Sequence, residues 1–192
     1  MGAVAGWLVR WALATINRLL LGALAGIAGT FAMTVAARAM HHRLPAAERY
    51  PLPPREIIEG ALPAVSRRSL EEHGRQAATI GAHFGYGAAT GALYALFEPR
   101  GGILRGAAYG ILVWTVSYFG IMPALQILRP AHVHPLRRNG LMILAHLVWG
   151  STMAASLREL QLAEQEIFAG AVAPDRAPSS PTHPSTAAVH RL

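Results

Sequence analysis

The stretch Leu19–Met40, LLLGALAGIAGTFAMTVAARAM, decides the fold class, because Arg38 is its only charged side chain over 22 residues. About 20 apolar residues cross the hydrocarbon core of a bilayer. Backbone groups in lipid must be hydrogen-bonded within the protein, which favours a helix. Three further stretches of similar character follow, so the sequence predicts an all-α membrane protein with four transmembrane helices. The further spans are Ala77–Phe97, Gly101–Met122 and Gly140–Leu157.

The composition supports a membrane location and argues against several other classes of protein. The 192 residues are 53% hydrophobic and 14% charged, which is more apolar than an ordinary soluble domain. The net charge of +7 comes from Arg residues that cluster between apolar runs, as they do beside membrane spans. We therefore expect the lipid bilayer as the partner and no nucleic acid. The absence of Cys excludes disulfides and thiolate metal sites.

The two ends of the chain differ from the predicted spans. Residues 1–18 are apolar but interrupted by Arg10, and Trp7 and Trp11 share one helical face. This pattern predicts an interfacial N-terminal helix, with an extension of the first span as the alternative. Residues 174–192 are rich in Pro, Ser and Thr and are predicted to form a disordered tail.

An internal repeat relates the two halves of the chain. A shift of 84 residues gives nine identities over residues 19–52, and a shift of 63 aligns AHFGYG at 82–87 with AHLVWG at 145–150. The difference corresponds to one inserted loop at about residues 56–76. Chance matching in an Ala- and Gly-rich sequence is the alternative. The pattern predicts two parallel two-helix repeats, at 19–97 and 101–160, related by an axis along the membrane normal.

Small residues recur at GxxxG spacing within the predicted spans. Such pairs let helix backbones approach closely in lipid, where packing replaces the hydrophobic drive. They predict a tight bundle, although chance spacing is again the alternative. The pairs are Gly22 and Gly26, Gly81 and Gly85, Gly87 and Gly91, and Gly106 and Gly110.

His83 and His146 are the candidate intramembrane functional pair. Each is the seventh residue of its predicted span, so the two imidazoles are expected at similar depth. An ionisable residue within a span is a functional candidate by default. Tyr86 and Trp149 each lie three residues further on, which places them near the same face as supporting aromatics.

Several roles remain open for this pair. One is structural, with each ring hydrogen-bonded across the bundle. Another is b-type haem ligation between diagonal helices, and a third is a path for protons or a small solute. A metal site needs three or four ligands, and the spans supply only two, so no metal is predicted. We see no catalytic residue set, and we expect no cofactor, with haem as the alternative.

Two short motifs resemble the YagU-like family of uncharacterised bacterial inner-membrane proteins. They are PLPPR at Pro51–Arg55 and HLVW at His146–Trp149, with Ala145 where that family has Gly. The resemblance implies a multi-pass protein of the bacterial inner (cytoplasmic) membrane and implies no activity. Residue by residue, it marks Pro51, Pro53, Pro54, Arg55, His146 and Trp149.

The loop after the first span contains a second candidate region. Arg55 follows the stiff Pro51–Pro54 segment, and the matching segment of the second repeat ends in Arg137 and Arg138. If the repeats pack side by side, these guanidiniums converge on one face. There they would bind anionic lipid headgroups or stabilise the loop. Ordinary anchoring by positive charge is the alternative.

The charge distribution predicts the orientation. The two loops after the first and third spans, counted together with Arg38 at the border of the first loop, hold ten Arg against five acidic residues, and the opposite side holds seven against five. Positive loops favour the cytoplasm, which places both termini outside. The sequence thus predicts a small inner-membrane protein with a structural or accessory role and no catalysis, and it leaves homo-oligomerisation open. The alternative is a haem-binding or transport protein centred on His83 and His146.

Overall fold

Four helices make up almost all of the described chain, and no strand occurs within it. The structure is a computed structural model that describes residues 2–45, 71–98, 102–127, 132 and 135–172. The third helix, Ile103–Ala124, contains a π-helical segment, Val116–Ile121, between two α-helical parts. The helices are α1 (Gly2–His41), α2 (Glu72–Phe97), α3 (Ile103–Ala124) and α4 (Leu136–Val172).

Three of these helices are long and apolar enough to cross a membrane. They are α1, α3 and α4, over Val4–His41, Ile103–Ala124 and Leu136–Ile167. Helix α2 is long enough to span but not apolar enough, because Gly, Ala and Tyr make up much of its sequence and it contains few Leu and Ile residues. The described chain is therefore all-helical and has the composition of a membrane protein.

Helix α1 runs without a break from Gly2 to His41. Residues 2–18 therefore continue the helix of the first predicted span. At about 1.5 Å per residue, its 40 residues extend about 60 Å, twice the roughly 30 Å of a hydrocarbon core. Trp7 and Trp11 on this N-terminal part are 58% and 60% exposed. Helix α1 is thus longer than a perpendicular span requires.

Helix α1 is the centre of the packing. It lies against α2 on one side and α4 on the other, and α3 packs against α4. The buried side chains form two clusters, one towards each end of the bundle. The first contains Ala25, Tyr94, Ala95, Val113, Trp149, Met153, Ala154 and Leu157, and the second contains Ala37, Trp114, Tyr118, Leu141, Met142 and Ala145.

Glycines occupy the points where the backbones of α1 and α2 meet. A Cβ atom at Gly22 would lie 2.6 Å from both the carbonyl oxygen of Gly91 and the Cβ of Ala95. A Cβ atom at Gly26 would meet the carbonyl oxygen of Gly87. Because backbone atoms cannot move aside, only Gly permits this approach.

The contact between α3 and α4 has the same character. A Cβ atom at Gly106 would meet the carbonyl oxygen of Gly150, and one at Gly110 would meet that of His146. The predicted pair Gly81 and Gly85 is different, because an added Cβ atom finds nothing within 4 Å at either position.

Two predicted regions lie partly or wholly outside the described residues. The predicted disordered tail, 174–192, lies entirely beyond them. The predicted inserted loop, 56–76, is described only from residue 71 onwards.

Candidate functional site

His83 lies on α2 and is half-buried against α1. Its Nε2 atom is 3.4 Å from the hydroxyl oxygen of Thr34. The Thr34 hydroxyl donates its hydrogen to the carbonyl of Thr30 at 2.8 Å. The hydroxyl oxygen is therefore the acceptor, and His83 is assigned the tautomer that carries hydrogen on Nε2. This bond joins α2 to α1.

His146 lies on α4 and is only 9% exposed. Its Nδ1 atom is 2.8 Å from the carbonyl oxygen of Met142. A carbonyl can only accept, so Nδ1 carries the hydrogen, and the lone pair of the neutral ring lies on Nε2. Within the described chain, Nε2 has no hydrogen-bond partner. The ring of Tyr118 packs edge-on against the imidazole, with centroids 6.4 Å apart.

The two imidazoles lie at similar depth in the bundle. The indole of Trp149 donates to the hydroxyl of Thr30 at 3.2 Å, and His83 contacts Thr34, one turn further along α1. Helix α4 is antiparallel to α1, so His146, three residues before Trp149, lies in the same direction as Thr34 from the Thr30 level. The two rings are therefore within about one helical turn of each other along the bundle.

The two predicted supporting aromatics have different surroundings. Trp149 is buried and bonds to Thr30, whose own hydroxyl donates to the carbonyl of Gly26 at 2.8 Å. Tyr86 is 43% exposed, and its hydroxyl is hydrogen-bonded to Ser117 of α3 at 2.9 Å. Tyr86 thus joins α2 to α3 and makes no bond to His83.

Further tyrosines bridge α2 and α3. The hydroxyl of Tyr109 donates to the carbonyl of Thr90 at 2.9 Å. The ring of Tyr109 lies between those of Tyr94 and Trp149, with centroid distances of 5.1 and 6.0 Å. These side chains fill the space between two helices whose backbones do not meet closely. No motif or spacing in the sequence predicts these contacts.

The π-helical segment of α3 is a second feature that was not predicted from the sequence. Buried Trp114 precedes it, and its indole nitrogen has no hydrogen-bond partner in the part of the chain that the structure describes. The ring of Tyr118, within the segment, stacks on Trp114 at 6.0 Å. The Tyr118 hydroxyl donates to the sulfur of Met142 at 3.7 Å. The segment therefore places the ring of Tyr118 beside His146.

Pro123 was the available sequence indication of this segment. Proline lacks the backbone N–H, and its ring crowds the carbonyl four residues earlier, that of Phe119. The helix widens just before it, and the N–H of Met122 bonds the carbonyl of Ser117, five residues earlier. π-Helical turns within α-helices occur frequently at functional sites.

The predicted loop region is only partly described. Pro51, Pro53, Pro54 and Arg55 lie outside the described residues. Arg137 is exposed and Arg138 half-buried in the first turn of α4. Cations at a helix N-terminus are opposed by the helix dipole, so these two Arg residues do not stabilise the start of α4 through that dipole.

Among the described residues, no group of three or more His, Asp or Glu side chains is placed to hold a metal ion. No protein-family profile, curated protein or solved structure matches the chain. The arrangement itself therefore carries the functional argument. It consists of one imidazole used in a bond between helices and a second, buried imidazole with an open acceptor nitrogen.

Proposed function

We propose that this is a four-span protein of the bacterial inner membrane with a structural or accessory role and no catalysis of its own. The position of α2 supports a fourth span. Its residues Gly87 and Gly91 touch Gly22 and Gly26 of α1. Because α2 packs along the middle of α1, it lies at the same depth in the bilayer if α1 spans the membrane. The stretch Ala77–Phe97 also contains no charged residue.

Two parallel repeats remain part of this proposal. Each half places glycines of its first helix on the backbone of its second helix, as small-residue membrane interfaces do. The register differs between the halves. Gly26 and Gly110 are 84 residues apart, but the carbonyls they approach, Gly87 and His146, are 59 apart rather than 63. The second interface is slipped by about one helical turn relative to the sequence alignment.

The structural role is supported chiefly by the interior polar side chains, which form hydrogen bonds from one helix to another. Thr30 and Thr34 of α1 bind Trp149 of α4 and His83 of α2. Hydrogen bonds between helices in a membrane contribute about 0.6 kcal/mol on average and up to about 1.7. These bonds hold three helices together. The resemblance to the YagU-like family supports the bacterial inner membrane as the location.

Replacing Thr30 by Val tests the structural role, because Val keeps the shape and removes the hydroxyl. Trp149 then loses its acceptor in a buried site, and we expect a loss of about 1 kcal/mol in unfolding free energy. Thr115→Val is the matched control, because exposed Thr115 bonds only the carbonyl of Ile111 in its own helix. Equal stability of the two variants in detergent or nanodiscs would contradict the structural role.

His146 supports a second candidate function, haem binding or passage of protons or a small solute. Histidines that ligate metals usually donate their other ring N–H to a carbonyl or carboxylate, and His146 does so to Met142. For b-type haem, His83 would have to give up its bond to Thr34. A Soret band in wild-type protein from haem-replete cells, lost in both His83→Ala and His146→Ala, would support haem. Well-folded protein without that band excludes it.

A further inference from the structure

A cleft of about 720 Å³ lies between the N-terminal part of α1 and the C-terminal part of α4. The helices are antiparallel here, and Asn17 donates to the carboxylate of Glu164 at 2.7 Å. Leu13, Leu21 and Leu162 form part of the wall. The cleft thus combines apolar and polar sides and lies away from His83 and His146.

Two guanidiniums line this cleft, one from each helix. Arg18 and Arg158 are both exposed and both border the cleft. Within the described chain, neither makes a hydrogen bond or an ion pair. Glu164 is the acidic residue of the lining, and its carboxylate accepts the bond from Asn17. The lining therefore carries two positive side chains against one carboxylate, and neither guanidinium is paired with an anion of the described chain.

Both Arg residues stand where an apolar run ends. Arg18 directly precedes Leu19–Met40, and Arg158 directly follows Gly140–Leu157. Because α1 and α4 are antiparallel, these boundaries lie at the same end of the bundle. In a bilayer that covers the predicted spans Leu19–Met40 and Gly140–Leu157, this is the height at which hydrocarbon gives way to headgroups. Phosphate groups lie there, and the planar fork of Arg suits their oxygens.

We propose that the cleft binds a phosphate-bearing anion between Arg18 and Arg158, in the first place the headgroup of an anionic phospholipid. The Leu side chains of the wall would contact its glycerol and the start of its acyl chains. This site goes beyond the proposed function, and it rests on that function only for the membrane location. It also lies at the opposite end of the bundle from Arg137 and Arg138.

The test compares full-length wild type with Arg18→Gln, Arg158→Gln and the double variant. Native mass spectrometry measures retention of phosphatidylglycerol relative to phosphatidylcholine. We expect wild type to prefer phosphatidylglycerol. Each single change should weaken that preference about five-fold, which corresponds to about 1 kcal/mol per basic residue near the surface. The double variant should lose about 25-fold.

Arg10→Gln is the matched control on the same helix. Arg10 lies about 12 Å along α1 from Arg18, which is more than a Debye length at physiological salt. We expect the preference of the Arg10→Gln variant for phosphatidylglycerol over phosphatidylcholine to stay within about two-fold of the wild-type value. An equal loss in Arg10→Gln, or no loss in either single cleft variant, would overturn the site. The single variants keep the test decisive if the double variant does not fold.

A second arm titrates inorganic phosphate into the lipid-loaded protein. Retention of phosphatidylglycerol at millimolar phosphate assigns the site to a lipid headgroup. Displacement that depends on Arg18 and Arg158 assigns it to a free phosphate-bearing anion. If neither phosphatidylglycerol nor inorganic phosphate binds, the proposal is overturned. Carbonate extraction distinguishes failure of the cleft site from failure of the membrane location. Protein that stays in the membrane but shows no preference for phosphatidylglycerol contradicts only the cleft site. Protein that is extracted contradicts the membrane location and the lipid site with it.

Discussion

Replacing Gly87 by Ala should loosen the contact of α1 with both α2 and α4. The new methyl group would overlap the hydroxyl of Thr30 and lie 3.2 Å from the carbonyl oxygen of Gly26. Thr30 cannot turn away freely, because its side chain is β-branched and its hydroxyl bonds Gly26 and Trp149. Overpacking of this kind costs about 1–3 kcal/mol. Ala recovers at most about 1 kcal/mol of helix propensity.

The expected net loss for Gly87→Ala is about 1–2 kcal/mol. For a chain of this size, that corresponds to a fall of about 2–8 °C in the melting temperature. Thermal unfolding of the purified protein in detergent, followed by circular dichroism, measures it. Gly85→Ala is the control two residues away on the same helix, where an added Cβ atom meets nothing within 4 Å. Should the two variants melt at the same temperature, the close approach of α1 and α2 would be refuted.

Two further predictions concern the His83 bond and the orientation of the chain. In a double-mutant cycle, Thr34→Val and His83→Leu should be non-additive by about 0.5–1 kcal/mol, because each change removes the same bond; additive losses would show that the bond contributes nothing. A C-terminal reporter that is active only in the cytoplasm should stay silent, because the Arg-rich loops are expected inside. An active reporter would reverse the orientation.

Hydropathy predicts the helices better than it predicts their ends. The apolar runs coincide with α1, α3 and α4, which are the helices apolar enough to span. Helix α2 also forms at the predicted place, although its composition is less apolar. The ends of α1 and α4 extend well beyond the apolar runs. Helix formation depends on backbone bonding and propensity as well as on burial, so a helix does not have to stop where the apolar pattern does.

Residue spacing shows which positions share a helical face, but it does not show which helix that face meets. Gly22 and Gly26 have the same spacing as Gly81 and Gly85, yet only the first pair lies against another backbone. Tyr86 shares a side of α2 with His83, and its long side chain nevertheless reaches Ser117 of α3. Such contacts depend on how the helices are arranged around one another, which a single sequence with a repeated pattern leaves undetermined.

The one-turn difference in register between the two helix interfaces explains why the two similar hexapeptides, at 82–87 and 145–150, have different environments. In the first half, Gly26 of α1 lies against the backbone carbonyl of Gly87 on α2. In the second half, the equivalent Gly110 of α3 lies against the backbone carbonyl of His146 on α4. His146 is thus brought into the tight contact with α3, beside Tyr118 of the π-helical segment. His83 stays one turn outside the corresponding contact and bonds Thr34. The two imidazoles therefore have different bonding: the Nε2 atom of His83 is used in the bond to Thr34, whereas His146 is held through Nδ1 and leaves Nε2 unbonded within the described chain. Chemistry at the site would therefore centre on His146, with His83 holding α2 to α1.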